Sequence, residues 1–311
     1  GAGPAGLAAG YRLANAGLKT LIIEKENQVG GISKTVNFRG YSFDMGGHRF
    51  FTKFEEVNEF WNSMLNEDEF RTRPRLSRIY YDNKFFNYPL KPMNALKGMG
   101  FWKSVLILES YLRSKVFPYK KERTFEEWVT NRFGERLYSI FFKTYTEKLW
   151  GVPCTEISSK WAAQRIKGLS LISAIKNALL GGKGNNIKTL IDHFKYPVYG
   201  PGMMYDRVKQ VIEEKGGTVK LNSRLIGLKR KGFKIVSAEY FNENGEIAEV
   251  KATNFISSIP ITELISLFDP LPQKEILTAA SKLTYRSFIT VCVIINKKEL
   301  FNINKRIYTV I

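Results

Sequence analysis

The residues most able to do chemistry stand first. Gly1-Ala2-Gly3-Pro4-Ala5-Gly6 opens the chain, an apolar run ends in Leu21-Ile22-Ile23-Glu24, and Gly30-Gly31 follows. Each glycine has a separable task in a strand-turn-helix that approaches a pyrophosphate: Gly1 permits the turn, Gly3 the backbone approach, and Gly6 close packing of the helix on the sheet. A helix from Ala5 to about Ala16 aims unpaired N–H groups and a partial positive charge at that position, so an anionic ligand is expected there. Glu24 lies about twenty residues beyond the glycines, where a carboxylate accepts from both hydroxyls of an adenosine ribose. Lys25 follows, but the first position is acidic, which argues against a 2′-phosphate. An ordinary ligand-free turn has similar glycines. The helix and strand patterns, the carboxylate and the second glycine loop together favour a dinucleotide.

A second chemical candidate is Phe43-Asp44-Met45-Gly46-Gly47-His48, in which a side-chain-free backbone can lie against a flat ligand. His48 either serves that ligand or holds its own turn by hydrogen bonds, and both readings stand at this point. Tyr80, Tyr81, Phe85, Phe86, Tyr88 and Trp150 either wall a pocket or, as most such residues do, fill a core. Cys154 and Cys292 are far apart with no C-x-x-C pair, and His48 and His193 are equally separated, so no metal constellation is expected. Neither G-x-S-x-G nor H-E-x-x-H occurs, which removes hydrolase and metalloprotease readings.

The elements that must position these residues follow from periodicity. Gly17 stops the first helix, and Lys19 to Ile23 reads as a buried parallel strand. Helical spacing predicts a helix over Phe54 to Leu65. Leu76 to Tyr81 and Lys84 to Tyr88 alternate as strands about an Asp82-Asn83 turn. From Asn94 to about Leu180 the pattern is helical, with breaks at Pro118, Gly134, Gly151-Val152-Pro153 and Gly168. Thr124-Phe125-Glu126-Glu127 is a capping box that starts one helix, with Trp128 and Phe133 on its apolar side. Leu180 to Asn186 reads as a loop and lacks the complete phosphate-loop motif. Then come a helix from about Met203 to Lys215 stopped by Gly216-Gly217, strands at Thr218 to Leu221 and Leu225 to Lys229, and a hairpin turn at Phe241 to Gly245. Phe255 to Pro260 reads as a strand entering a helix, and Phe288 to Asn296 as a long buried strand.

The 311 residues are 44% hydrophobic and 14% aromatic, enough for two domains or one elaborated α/β domain. With 48 Lys+Arg against 29 Asp+Glu the net charge is +19, which suits nucleic acid, an anionic membrane surface or an acidic substrate. The basic residues are dispersed, densest at Lys115 to Arg123 and Lys229 to Lys234, so nucleic acid is the least favoured of the three. Phe288 to Ile295 is too short to span a bilayer. A soluble or peripheral protein of a reducing cytoplasm is expected. The chain starts at the turn itself and stops in a strand-like run, which reads as an internal fragment.

Several segments together resemble a known superfamily. Gly1 to Gly6, Glu24-Lys25 and Gly30-Gly31 look like the FAD-binding opening of the amine oxidase, protoporphyrinogen oxidase and UDP-galactopyranose mutase superfamily. Phe43 to His48, Thr124 to Trp128, Tyr145 to Pro153 and Trp161 to Ile166 are similar to its mutase-like branch. The resemblance implies an α/β fold: a Rossmann-like FAD-binding domain of the glutathione-reductase type with an inserted helical and mixed-sheet substrate domain, truncated at both ends. The corresponding division is 1–70 and 196–265 for FAD, 71–195 for the insertion, and 266–311 for substrate-domain strands. Implied cofactor-binding residues are Gly1, Gly3, Pro4, Ala5, Gly6, Glu24, Lys25, Gly30, Gly31, Gly46, Gly47, His48, Leu225 and Ser258. Implied catalytic residues are His48 and Arg165, the latter matching an arginine that senses flavin redox state. Arg78, Tyr88, Tyr145 and Trp150 fall on the substrate side, Trp150 matching a residue that lines a uridine-nucleotide pocket. Thr146 departs from the eukaryotic mutases, which have a nucleotide-contacting Asn there, and an arginine expected just beyond Tyr308 lies outside the chain.

Three functions are then open. The first and favoured one is a FAD-dependent oxidoreductase taking hydride from a small-molecule substrate. The second is a redox-neutral mutase acting on a nucleotide sugar through N5 of reduced flavin. The third is a non-catalytic flavoprotein or a basic scaffold in peripheral contact with a membrane.

Overall fold

The computed structural model describes residues 1–74, 77–88, 98–166, 193–287 and 289–295, the side chains at 77, 78, 87, 88 and 165 excepted. Two compact units emerge: Gly1–Arg73 with Phe194–Ile294, and Pro74–His193 with Ile295–Ile311.

The first unit is α/β. Helix α1 (Pro4–Asn15) feeds strand β1 (Leu21–Ile23), which pairs in parallel with β8 (Thr218–Lys220), Ile22 opposite Val219. Helix α8 (Gly202–Glu214) leads into β8. Met204, Val208 and Ile212 recur every fourth residue along α8 and so share one face. With Leu7 and Ala14 of α1, Ile22 and Val219 they form the buried core. The expected helix stops are present: Gly17 and Gly216 both adopt positive φ.

A hairpin joins β2 (Thr35–Phe38) to β3 (Tyr41–Asp44) through Arg39 and Gly40, both at positive φ, the geometry of a tight primed turn. After it come α2 (Glu55–Met64) and β4 (Phe70–Pro74), which pairs with β7 (His193–Pro197). Strands β9 (Arg224–Lys231), β10 (Lys234–Phe241), β11 (Ile247–Lys251) and β12 (Phe268–Asp269) form a sheet in the order β11-β10-β9-β12. The turn expected at Phe241 to Gly245 closes its β10–β11 hairpin.

Two expected strands are not formed. Phe255 to Pro260 carries no ladder, although the helix after it, α9 (Ile261–Ser266), is present. Residues 289–295 form neither helix nor strand, and Ile289 is 90% exposed. An apolar run becomes a strand only where another edge offers its N–H and C=O groups. Among the described residues no strand pairs with either segment. Helix α10 (Lys274–Ser281) was not anticipated.

The second unit starts with the expected hairpin, β5 (Ser77–Tyr81) and β6 (Lys84–Tyr88), turning at Asp82 and Asn83, both at positive φ. Helices α3 (Phe101–Val116), α4 (Phe125–Phe133), α5 (Glu135–Tyr138), α6 (Thr144–Trp150) and α7 (Ser159–Arg165) follow, with a π-helical turn over Ser139–Lys143. Phe86, Phe125, Trp128, Val129, Phe133 and Tyr138 are in its core. Phe86 is thus a packing residue, whereas Tyr80 and Phe85 meet with tilted rings, centroids 5.1 Å apart, and stay exposed. The expected loop at Leu180 to Asn186 and the break at Gly168 lie outside the described residues.

The capping box of α4 is complete. Glu127 N donates to Thr124 Oγ1 at 3.3 Å, while Glu127 Oε2 accepts from Thr124 N at 2.9 Å and Arg123 N at 2.7 Å. Those backbone donors, Thr124 first, hold the Glu127 carboxyl below its ordinary range. Thr124→Ala is expected to lower stability by about 1 kcal/mol, read as a shifted urea midpoint at unchanged slope. No shift would remove the cap from the account of this helix.

Cys154 is fully buried, and burial pushes its thiol up to about 11. Cys292 is exposed. At pH 8 iodoacetamide is expected to modify Cys292 in the native protein and Cys154 only after denaturation, because the thiolate is the nucleophile. Comparable native labelling of both, seen by peptide mass, would contradict the buried placement.

Candidate functional site

The opening turn is held together by backbone, glycine contacts and one carboxylate. Glu24 continues the β1–β8 ladder, its N–H donating to Lys220 O at 2.8 Å and its carbonyl accepting from Ser223 N at 2.8 Å. That register turns its side chain inward, where it is 8% exposed. Oε2 accepts from Ala2 N at 2.6 Å and Oε1 from Glu26 N at 3.0 Å. Ala2 O accepts from Gly30 N at 2.8 Å, and Ser258 Oγ donates to Gly1 O at 3.4 Å. Gly1, Gly30, Glu24 and Ser258 are therefore brought together within one unit.

Two glycines are required by close approach. A Cβ on Gly6 would lie 1.9 Å from the Gly1 carbonyl oxygen, and one on Gly31, at φ +55°, would lie 3.1 Å from Gly3 Cα. Gly3 is the N-cap of α1, no side chain caps that terminus, and Ala5 in its first turn is exposed. An uncapped helix start with a backbone cradle fits an anionic phosphate group. The Glu24 carboxylate retains lone pairs beyond the two it uses, which suits hydroxyl donors. These residues fit the pyrophosphate and ribose of a dinucleotide.

Gly46 and Gly47 follow β3, Gly46 at φ +107°. His48 Nε2 lies 3.1 Å from Met45 O, and Nδ1 lies 3.4 Å from Ser33 Oγ. A carbonyl only accepts, so in the neutral ring Nε2 carries the proton and Nδ1 accepts from the Ser33 hydroxyl. His48 holds its own turn. Lys25 is exposed at the end of β1, and Leu225 pairs with Tyr240 in the β9–β10 ladder.

A node that the sequence did not suggest fixes the hairpin carrying this turn. Asp44 accepts from Thr35 Oγ1 at 3.1 Å through one oxygen and from the Tyr196 hydroxyl through the other. Gly202 N donates to Thr35 Oγ1 at 3.0 Å. Burial first, and the Asp44 bond second, push the Tyr196 phenol up, so it remains a donor. The partners are 152 positions apart, too far for any local pattern to have signalled the contact.

The other candidates are in the second unit. Trp150 ends α6 and meets Trp161 of α7 edge to face, with centroids 5.3 Å apart. Tyr145 is exposed, whereas Thr146 beside it is buried. Arg165 is the last residue of α7; Arg78 lies in β5 opposite Asn87 and Tyr88 in β6 opposite Ser77. The side chains of Arg78, Tyr88 and Arg165 lie outside the described residues. Among the described residues no group of His, Cys, Asp and Glu is arranged to hold a metal ion, and no helix is long and apolar enough to cross a membrane.

Comparison with known proteins bears on this geometry. The chain is 28% identical over 172 residues to the "Probable UDP-galactopyranose mutase" of Klebsiella pneumoniae, covering 50% of the chain and 41% of that protein. It is 23% identical over 206 residues to protoporphyrinogen oxidase 2, chloroplastic/mitochondrial, of Arabidopsis thaliana, covering 61% of the chain and 41% of that protein. It thus spans about two fifths of the length of either relative. Its fold is that of reduced UDP-galactopyranose mutase, with a TM-score of 0.72 at 23% identity over 92% of the chain and 60% of the solved one. Residues 4–300 match the family model described as flavin containing amine oxidoreductase. The chain belongs to that family, and its cofactor is FAD.

Proposed function

We propose that the protein is a FAD-dependent oxidoreductase that takes hydride from a C–H bond of a small organic substrate, oxidising the adjoining C–N, C–C or C–O bond to a double bond with loss of a proton, and passes the electrons to an acceptor. The observation that carries the reading is the glycine cradle closed by Glu24. Gly1, Gly3, Pro4, Ala5, Gly6 and the start of α1 receive the pyrophosphate, and Glu24 the ribose hydroxyls, with Lys25 and Ser258 beside them. Gly30, Gly31, Gly46 and Gly47 give the cofactor side-chain-free backbone, and Leu225 offers backbone hydrogen bonds to adenine. Bound flavin supplies two-electron chemistry. His48, its Nε2 proton committed to Met45 O, orients the turn beside the ring system. Arg165 is the cation that responds to reduced flavin, and Arg78, Tyr88, Tyr145 and Trp150, in the 71–195 insertion, meet substrate. Two unpaired cysteines accord with a cytoplasmic setting.

The second reading is a redox-neutral rearrangement of a nucleotide sugar. It is favoured by the likeness to the Klebsiella protein and by the Trp150–Trp161 contact, which gives an aromatic surface of the kind that stacks on a base. One experiment separates the two. The intact gene product is incubated with UDP-galactopyranose while oxidised and after dithionite reduction, and flavin absorbance is followed with candidate amines and alcohols. Bleaching by a substrate with reoxidation by an acceptor supports the oxidoreductase. Ring-contracted sugar formed only after reduction supports the mutase and sinks the first reading. A preparation without flavin that takes up none sinks both.

A further inference from the structure

Helix α3 is mounted with its apolar side outward. Ile107, Ser110, Tyr111 and Ser114 are its buried face. Ser110 of that face accepts from Arg136 N at 3.1 Å, and the exposed Lys115 at its border donates through Nζ to Asn131 O at 2.7 Å. On the opposite side Phe101, Val105, Leu108, Leu112 and Val116 recur at three- and four-residue spacing, and all are exposed. Trp102 and Phe117, near the two ends, are each 77% exposed. A continuous exposed apolar stripe of this length marks a contact surface rather than scattered surface residues.

The charge around the stripe selects its partner. Arg113 lies on the helix, and Lys120, Lys121 and Arg123 follow directly, all exposed. Of the nearby acids, Asp82 is held by Lys103 at 2.7 Å and Glu122 by Arg132 at 2.6 Å, which leaves Glu109 as the exposed acid on the helix. A second copy of a chain carrying +19 would set like charges against each other across the stripe. An anionic surface satisfies both features: Phe, Trp and Leu enter the headgroup–acyl boundary while Lys and Arg reach lipid phosphates.

We propose that α3 docks the protein peripherally on an anionic lipid membrane, with the Phe101-to-Val116 stripe inserted and the Arg113-to-Arg123 cluster on the headgroups. The proposal is independent of the flavin chemistry, because it concerns a face that carries none of the cofactor or substrate candidates.

The test is flotation of the full-length protein with phosphatidylcholine vesicles, plain or containing about one third phosphatidylglycerol, where the basic cluster acts on the anionic ones alone. The protein is expected to float with the anionic vesicles and to be released by high salt. Trp102→Ala with Phe117→Ala is expected to weaken binding at least about tenfold, and Lys120→Gln with Lys121→Gln about thirtyfold at low salt. All four side chains are on or next to an exposed face, and circular dichroism checks that folding is retained. Three results overturn the proposal. The first is no flotation with either kind of vesicle. The second is flotation unaffected by either pair, which assigns it to overall charge. The third is a concentration-dependent dimer in sedimentation, broken by Trp102→Ala with Phe117→Ala, in a protein that does not float.

Discussion

Gly6→Ala is expected to yield a protein that has lost at least about nine tenths of its FAD, because the methyl group has nowhere to go that spares the cradle. Its position is 1.9 Å from the Gly1 carbonyl oxygen and 3.1 Å from the Gly1 carbonyl carbon. Both obstacles are backbone, so no rotamer change relieves them; α1 must tilt or the turn must open. Overpacking of this kind costs about 1–3 kcal/mol, and here the distortion falls on the backbone proposed to receive phosphate. A core substitution in the same unit separates stability from binding. Val208→Ala removes fully buried methyl groups and should cost about 2 kcal/mol while leaving flavin content unchanged. Flavin stoichiometry from absorbance, with thermal midpoints for both variants, decides the matter. A Gly6→Ala protein as yellow as the parent would remove the opening turn from the site.

Glu24→Ala should combine a loss of fold stability with a loss of FAD affinity. The carboxylate is inside the unit and accepts from Ala2 N and Glu26 N. Truncation strands the buried Ala2 donor, whereas the part-buried Glu26 N–H on an exposed residue can turn to water, so about 1–3 kcal/mol is expected. Glu24→Gln keeps the length but turns one acceptor into a donor facing an N–H group, so it should fall between parent and alanine in stability. Its FAD affinity should drop about tenfold, since fewer lone pairs remain for ribose hydroxyls. Urea unfolding without cofactor isolates the first effect, and flavin fluorescence titration reads the second. If Glu24→Ala unfolds at the parent's urea concentration, the buried hydrogen bonds do not carry the turn.

Much of the local structure was legible because its causes are local. The Thr124 box needs only residues three apart, and both reciprocal bonds are made. Asp82-Asn83 turns the β5–β6 hairpin because those residue types tolerate positive φ. The glycines around Glu24 announce close approach, and each backbone contact they permit is found within a single unit. Strand β2 is not announced by its sequence, since Thr35-Val36-Asn37-Phe38 is short and half polar, and its pairing with β3 belongs to two segments at once.

The failures share that cause. Phe255 to Pro260 and residues 288–296 are apolar enough for buried strands, yet burial and laddering come from neighbours that composition does not name. Tyr196 and Asp44 meet across 152 positions, a closure set by how β7 and the β2–β3 hairpin pack. Helix α3 shows the same limit from the other side. Its periodicity was evident, but which side faces the bundle is settled by the bonds of Ser110 and Lys115 to adjoining helices, and these leave the aromatic side outward. The sequence by itself determined turns, caps and the limits of the helices it marked, because each depends on backbone sterics and hydrogen bonds within a few residues. Only the tertiary structure decided which edges pair, which faces are covered and that Glu24 is already bonded to Ala2, because those choices minimise the free energy of the whole packed chain rather than of any one stretch.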